Sequence, residues 1–198
     1  LSRPQFGLVF PDLLTNCPFA VGALMIHRKW LRRVGLFDES LPACEDWDMW
    51  LRLASGGCRS ALVDQPMMQY RVHEGQMSQE PAGMREASLA VLDKFFERCD
   101  LPPSLRAYED QAYAAALVKS AARAYHARER EAGQKDLAEA VQLDPSLEVD
   151  GYKRLMDSLK GWAYAPQSPD PEAFLIEVLH HPPDKLPFLE IVVEFHVH

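Results

Sequence analysis

The sequence predicts an α/β to α+β protein: a partial mixed α/β layer over residues 1–80, followed by an all-helical C-terminal region. Three observations lead there. A near-continuous apolar run at residues 19–26 reads as a strand, and two further strand-like runs follow a helix-patterned stretch, so helix alternates with strand over short connections. Beyond residue 80 the apolar spacing becomes helical and much of the chain is Ala-rich. The charge changes at the same place: residues 1–80 hold 8 Lys and Arg against 9 Asp and Glu, whereas residues 81–198 hold 13 against 20.

Residues 1–18, rich in Pro, Asn and Asp, read as loop or weak strand. Residues 19–26, FAVGALMI, lie between Pro18 and His27 and fit a strand buried on both faces, with Gly22 marking a close backbone approach. Residues 27–34 are helical in composition. Gly35 closes that helix as its C′ residue, and Arg32 and Arg33 lie in the last turn, where cations suit the dipole. Residues 36–45 form a loop with Phe37 as an anchor and Asp38 and Ser40 as turn formers. Trp47, Trp50, Leu51 and Ala54 then fall at i, i+3, i+4 and i+7, one face of a helix that Gly56-Gly57 stops. Residues 59–64 and 67–72 read as strands separated at Pro66, and His73-Glu74-Gly75 turns the chain out of the sheet.

The remainder is helical. Residues 81–99 carry Met84, Val91, Leu92, Phe95 and Phe96 at helical spacing, with Ser88 as a break in the apolar set, and Leu101-Pro102-Pro103 ends the segment. Residues 104–131 form a long Ala-rich helix, Gly133 breaks it, and residues 134–143 resume as a second helix ended by Asp144-Pro145. Two antiparallel helices with small residues at their crossing are expected. Further helices are expected at 152–162, 171–180 and 183–194. The organisation is therefore an α/β part at 1–80, a connecting helix at 81–104, a helical region at 105–163 and a helical tail at 164–198.

Bulk properties exclude several functions. With 198 residues, 47% of them hydrophobic, the chain can bury a core. It contains no apolar run of the roughly 18 residues that a membrane span needs. It shows no signal-peptide pattern either, so the expected location is cytoplasmic. A net charge of -8 argues against nucleic acid or an anionic membrane as a general partner, since both demand clustered Lys and Arg. Cys17, Cys44, Cys58 and Cys99 show no CxxC spacing and read as small buried residues in a reducing compartment. His180, His181, His196 and His198 lack partner ligands and read as inert tail histidines.

Chemistry concentrates in residues 41–53, LPACEDWDMWLRL, where Glu45 and Asp46 open the tryptophan-bearing helix. Carboxylates there meet the positive end of the macrodipole and unpaired N–H groups, which favours their ionised form. A structural cap needs nothing more. Glu45 beside Asp46 adds a like charge that raises a pKa while the helix end lowers it, and the sequence leaves the balance open.

Four blocks then match a known family in order and spacing: residues 19–23 (FAVGA), 34–41 (VGLFDESL), 45–53 (EDWDMWLRL), and 70–73 (YRVH) with Ser78. Together they resemble the acceptor-side half of family 2 glycosyltransferases with the GT-A fold. The resemblance covers residues 15–80, about a third of the chain, and four blocks in register make it specific. It implies inverting transfer from a nucleotide-sugar donor to a hydroxyl of a glycan or other acceptor, with Asp46 as the base and Glu45 beside it. It also implies a Mn²⁺ or Mg²⁺ site to which His73 contributes, since these cations prefer oxygen ligands but accept one imidazole. The substrate-binding candidates are Trp47, stacking on a sugar face, and Arg71, meeting phosphate. Their ordinary alternatives are a core tryptophan, as for Trp50, a salt-bridged arginine, and for His73 a turn histidine.

The departure from that family is large. No Asp-x-Asp precedes the matching blocks; Asp46-Trp47-Asp48 opens a helix instead of ending a strand. The nucleotide-binding half is absent, so the chain is expected to be a C-terminal fragment without transfer activity of its own. The helical pair near 107–145 resembles one tetratricopeptide-like repeat, carried by Ala121-Ala122, Ala124-Tyr125 and the LAEAVQLDP ending at Pro145. One such repeat needs a further surface to lean on. A second class of function follows: a helical interaction module that tethers or forms a homodimer of the parent enzyme, with a vestigial α/β half.

Overall fold

Short, strongly buried helices require tertiary partners, because isolated helices under about 12–15 residues are marginal in water. The computed structural model, which describes residues 11–17, 21–61, 68–69 and 77–148, meets that requirement by packing helices from both compositional halves around one core. The helices are α1 (Asp12–Thr15), α2 (Arg28–Val34), α3 (Glu45–Ser55), α4 (Pro81–Phe96), α5 (Pro103–Arg106), α6 (Glu109–His126) and α7 (Arg130–Leu143). Single 3-10 turns lie at Val21–Ala23, Met77–Gln79 and Pro145–Glu148. Among the described residues none of these helices is long and apolar enough to cross a membrane.

Local chemistry sets most boundaries. Gly35, at φ 89°, ends α2 and donates its N–H to the Leu31 carbonyl at 3.0 Å, the C′ role its sequence position predicts. Gly56 closes α3 through a bond to the Arg52 carbonyl at 2.9 Å, and Gly57, at φ 84°, turns the chain away. Pro81 opens α4 at the first helical position, and the Glu80 carboxylate accepts the Ala82 and Gly83 N–H groups at 3.1 and 2.6 Å.

The core takes Leu13 and Leu14 from α1 and Trp47, Met49, Trp50, Leu51, Leu53 and Ala54 from α3. Val91, Leu92, Phe95 and Phe96 of α4, Leu101 after it, and Ala112 and Ala116 of α6 complete it. Each fully buried large apolar side chain contributes roughly 1.5–3 kcal/mol, so α3 is held by burial and not by its own propensity. α6 packs on α1, α4 and α7, while Arg85 of α4 clamps α7 through Asp136 at 2.8 Å and Glu139 at 3.1 Å. The helical pair thus leans on α1 and α4.

Three local expectations change. The 19–26 run is not a strand where it is described: Val21–Ala23 is a 3-10 turn, and Val21 and Met25 are 51% and 99% exposed. A strand buried on both faces needs neighbouring strands, and the described residues place none beside it. The segment read as loop contains α1, whose two leucines are wholly buried. Ser88, the polar break in the apolar set of α4, donates from its hydroxyl to the Met84 carbonyl at 2.7 Å and meets Cys44 Sγ at 3.6 Å. The break expected at Gly133 comes instead at residues 127–129, where Arg128 adopts φ 69°. Gly133 lies inside α7, and a Cβ there would stand 2.9 Å from a ring carbon of buried Tyr125, so glycine permits the close crossing of α6 and α7.

The runs at 59–64 and 67–72 fall mostly outside the described residues, although Ser60 forms an isolated bridge. The helices expected at 152–162, 171–180 and 183–194 lie wholly outside them.

Candidate functional site

The site is assembled by the turn that follows α2. Asp38 Oδ1 accepts the Ser40 N–H at 3.0 Å and the Ser40 hydroxyl at 2.6 Å, and the Leu41 N–H returns to the Asp38 carbonyl at 3.2 Å. Phe37 packs edge-on against Trp50, with ring centroids 6.5 Å apart. The Lys94 ammonium from α4 joins Asp38 at 2.6 Å and Asp48 at 2.8 Å. Arg52 donates from Nε to Asp48 at 2.8 Å and from its other nitrogens to the Val34 and Leu36 carbonyls at 2.7 and 2.9 Å. Lys94, followed by the Ser40 donors, holds the Asp38 carboxyl well below the usual carboxylate range.

This network fixes the approach to α3. Cys44, its N-cap, sits in the left-handed region at φ 59° and makes no side-chain cap, so the first turn is served by the carboxylates that follow it. Asp46 Oδ1 accepts the Trp47 N–H at 2.7 Å. The sequence left the Asp46 pKa undecided between neighbour and helix end. Burial raises it, Glu45 adds to the rise, and the Trp47 N–H opposes it, with a net upward shift. A half-buried carboxylate with increased proton affinity suits a group that accepts a proton near neutral pH.

Residues of one type in one motif meet different fates here. Successive helix positions are rotated by about 100°, so Asp48 points nearly opposite to Asp46. Asp48 is only 4% exposed and is consumed by Arg52 and Lys94. The Asp46-Trp47-Asp48 triplet therefore presents no paired carboxylates, and among the described residues no cluster of three or more His, Cys, Asp or Glu gathers as a metal site. Trp47 is 5% exposed with its indole N–H on the Leu13 carbonyl at 2.7 Å, which makes it a core residue that stitches α3 to α1. Arg71 and His73 lie outside the described residues.

The structure places further residues around the site. Behind the α3 entrance stands Ser88, against the Cys44 thiol, which burial keeps above its ordinary pKa and so protonated. Lys119 of α6 donates to the Thr15 carbonyl at 2.7 Å and to Asn16 Oδ1 at 3.0 Å. Burial, then the charge of Arg123, pushes Lys119 down to about 8. Arg123, one turn further along α6, is itself lowered by burial. The signal that could have found the pair is two cations at i, i+4 on the small-residue face of an Ala-rich helix.

Comparison with known proteins bears on these same residues. A family model described as Glycosyltransferase like family 2 matches residues 16–133, more than half of the chain, from just after α1 into α7. No curated protein and no solved structure matches.

Proposed function

The chain belongs to the glycosyltransferase-like family 2, and from that premise we propose that it carries the acceptor-activating part of an inverting, nucleotide-sugar-dependent glycosyltransferase with Asp46 as base. The observation that carries this reading is the state of Asp46: half-buried, at the mouth of α3, with its proton affinity raised by burial and Glu45. An acceptor hydroxyl becomes a usable nucleophile as its proton leaves. Asp46 takes that proton while the oxygen attacks the anomeric carbon from the face opposite the nucleotide diphosphate, which departs with its bonding electrons. Attack from the opposite face inverts the anomeric configuration.

In this reading the fold is the acceptor-side part of a GT-A layer, the donor is held by a nucleotide-binding half, and the chain alone is inactive. The divalent cation, Mn²⁺ or Mg²⁺ with His73 among its ligands, belongs to the same reading and would neutralise charge on the departing diphosphate. The chain's own contribution is to hold Asp46. The Asp38–Lys94–Asp48–Arg52 network fixes the turn before α3, and α4 and α6 support it from behind. That packing favours reading the helical pair as a buttress of the site over a free-standing tether or dimerisation module.

The test is Asp46→Asn in a protein that also carries the nucleotide-binding half. Transfer should fall by about 10²–10⁴-fold, the usual worth of a positioned general base, with an unchanged melting temperature. Unimpaired transfer would reject Asp46 as base.

A further inference from the structure

The solvent face of α2 takes no part in the proposed chemistry, and its charge runs against that of the chain. Residues 13–37 contain Arg28, Lys29, Arg32 and Arg33 and no Asp or Glu, in a chain that holds 29 acidic residues. All four cations fall within α2, and all four are exposed. At about 100° per residue they share one arc of roughly 140°, while Trp30, Leu31 and Val34 turn the other way and pack against the core. Asp38, the first acid to follow, is held by Lys94. The carboxylates that line a groove with Arg33 are likewise engaged, Asp48 by Arg52 and Lys94, and Asp100 by Arg98. Among the described residues, no carboxylate forms an ion pair with any of the four α2 cations.

This arrangement works against the helix itself. Arg28 and Lys29 stand in its first turn, where the macrodipole disfavours cations, and Arg28 with Arg32 and Lys29 with Arg33 are like-charge pairs at i, i+4. Large apolar side chains flank the cationic arc on the outside: Met25, 99% exposed, precedes α2 and Leu36, 72% exposed, follows it. Trp30 lies half-buried between core and surface, with the Lys29 ammonium 5.9 Å and the Arg33 guanidinium 5.2 Å from its ring centroid.

We propose that α2, with Met25 and Leu36 at its ends, is a docking face for an anionic phospholipid surface. Headgroup phosphates and carboxylates meet the arginines and lysine, the two aliphatic side chains enter the acyl boundary, and an indole at the edge suits that boundary. Nucleic acid would use the cations but leave Met25 and Leu36 in water, and the Trp30 ring that could stack on a base already carries two cations. The net charge of -8 does not oppose docking at contact, because charges beyond about 8 Å are largely screened at physiological ionic strength, so the local arc decides. This inference is independent of the role of Asp46.

The experiment measures co-sedimentation of the full chain with vesicles of phosphatidylcholine alone and of phosphatidylcholine mixed with phosphatidylserine. Binding is expected to the mixed vesicles only, weakening as NaCl is raised. Arg32→Gln/Arg33→Gln should lower the partition coefficient about twentyfold, roughly fivefold for each cation. Arg32→Lys/Arg33→Lys should preserve it, because a surface potential reads charge and not the guanidinium fork. Met25→Ser/Leu36→Ser should weaken it severalfold through lost apolar contact. Thermal melts establish that each variant is folded, which relief of like-charge repulsion favours in the Gln variants, and Arg28→Gln/Lys29→Gln supplies a second disruption.

The inference is overturned if the mixed vesicles bind no better than phosphatidylcholine alone, or if the folded Gln variants bind as the parent does. Loss of binding in the Lys variant equal to that in the Gln variant would mark a discrete anion site and reject the membrane. So would binding that ignores Met25 and Leu36, or capture of duplex DNA or single-stranded RNA in place of the vesicles.

Discussion

Asp48→Ala tests the claim that α3 is held in place by an ionic centre. Asp48 is 4% exposed and receives Arg52 at 2.6 Å and Lys94 at 2.8 Å. Removing one member of a buried ion pair costs about 3–5 kcal/mol, chiefly because the partner charge is left uncompensated. Here both partners have partial relief. The Lys94 side chain is 40% exposed and retains Asp38, and Arg52 retains two carbonyl acceptors. The expected loss is therefore lower, roughly 2–3 kcal/mol, most of it from Arg52, whose side chain is 18% exposed. For a chain of this size that corresponds to a melting temperature lower by about 4–12 °C. Urea unfolding followed by circular dichroism gives the free energy, and a thermal melt gives the shift. Asp100→Ala, which removes an exposed partner of Arg98, is the control and should leave both measurements unchanged. An Asp48→Ala variant as stable as the control would refute the ionic-centre argument, because the charge left behind would then have cost nothing.

Trp47→Phe keeps the ring in the core but orphans the Leu13 carbonyl, bonded at 2.7 Å. A loss of about 1–3 kcal/mol is expected in urea unfolding, and a neutral result would mean that α1 is not stitched to α3 by this bond. Gly133→Ala should destabilise by about 1–3 kcal/mol despite alanine's better helix propensity. Its Cβ would meet the Tyr125 ring at 2.9 and 3.0 Å and the Ala121 carbonyl at 3.3 Å; a higher melting temperature would show that the crossing is looser than this. Lys119 predicts a pH dependence of definite sign. Its pKa falls from 10.5 to about 8 on folding, so between those values the unfolded chain binds more protons than the native one. Its destabilising contribution is fully present below about pH 8 and is relieved as pH rises towards 10.5. Lys119→Met should therefore flatten the pH dependence of the urea midpoint between pH 8 and 10, and an identical slope in the two proteins would reject the shift.

Legibility in the sequence followed the range of the interactions involved. α2 and α3 could be read because their determinants are local: a C′ glycine at Gly35, apolar residues at helical spacing, and the Gly56-Gly57 stop. The candidate base could be located because its block lies within a few residues of others that share its register. The end of α6 could not. Residues 127–132, AREREA, are good helix formers throughout, and the chain leaves the helix there through Arg128 in the left-handed region with the Glu129 N–H on the Ala124 carbonyl at 2.8 Å. Gly133 looked like the break because glycine is the commonest stop signal, yet its requirement is set by a ring on the facing helix. The same holds at the site. Lys94 is 56 residues from Asp38, and Lys119 is 104 residues from Thr15, separations at which no spacing rule identifies a partner.

The Asp46-Trp47-Asp48 triplet shows where such readings reach their limit. Its spacing invites a metal-binding interpretation, but helical rotation sends the two carboxylates to opposite sides of α3. One side meets Arg52 and Lys94 and becomes structure. The other lies at the N-terminal end of the helix, where Asp46 accepts the Trp47 N–H and burial raises its proton affinity. The division of labour is thus decided by which helix each face of α3 meets. The two aspartates should accordingly separate in experiment: Asp48→Asn lowers stability, whereas Asp46→Asn leaves stability intact and lowers transfer in a protein that also carries the nucleotide-binding half.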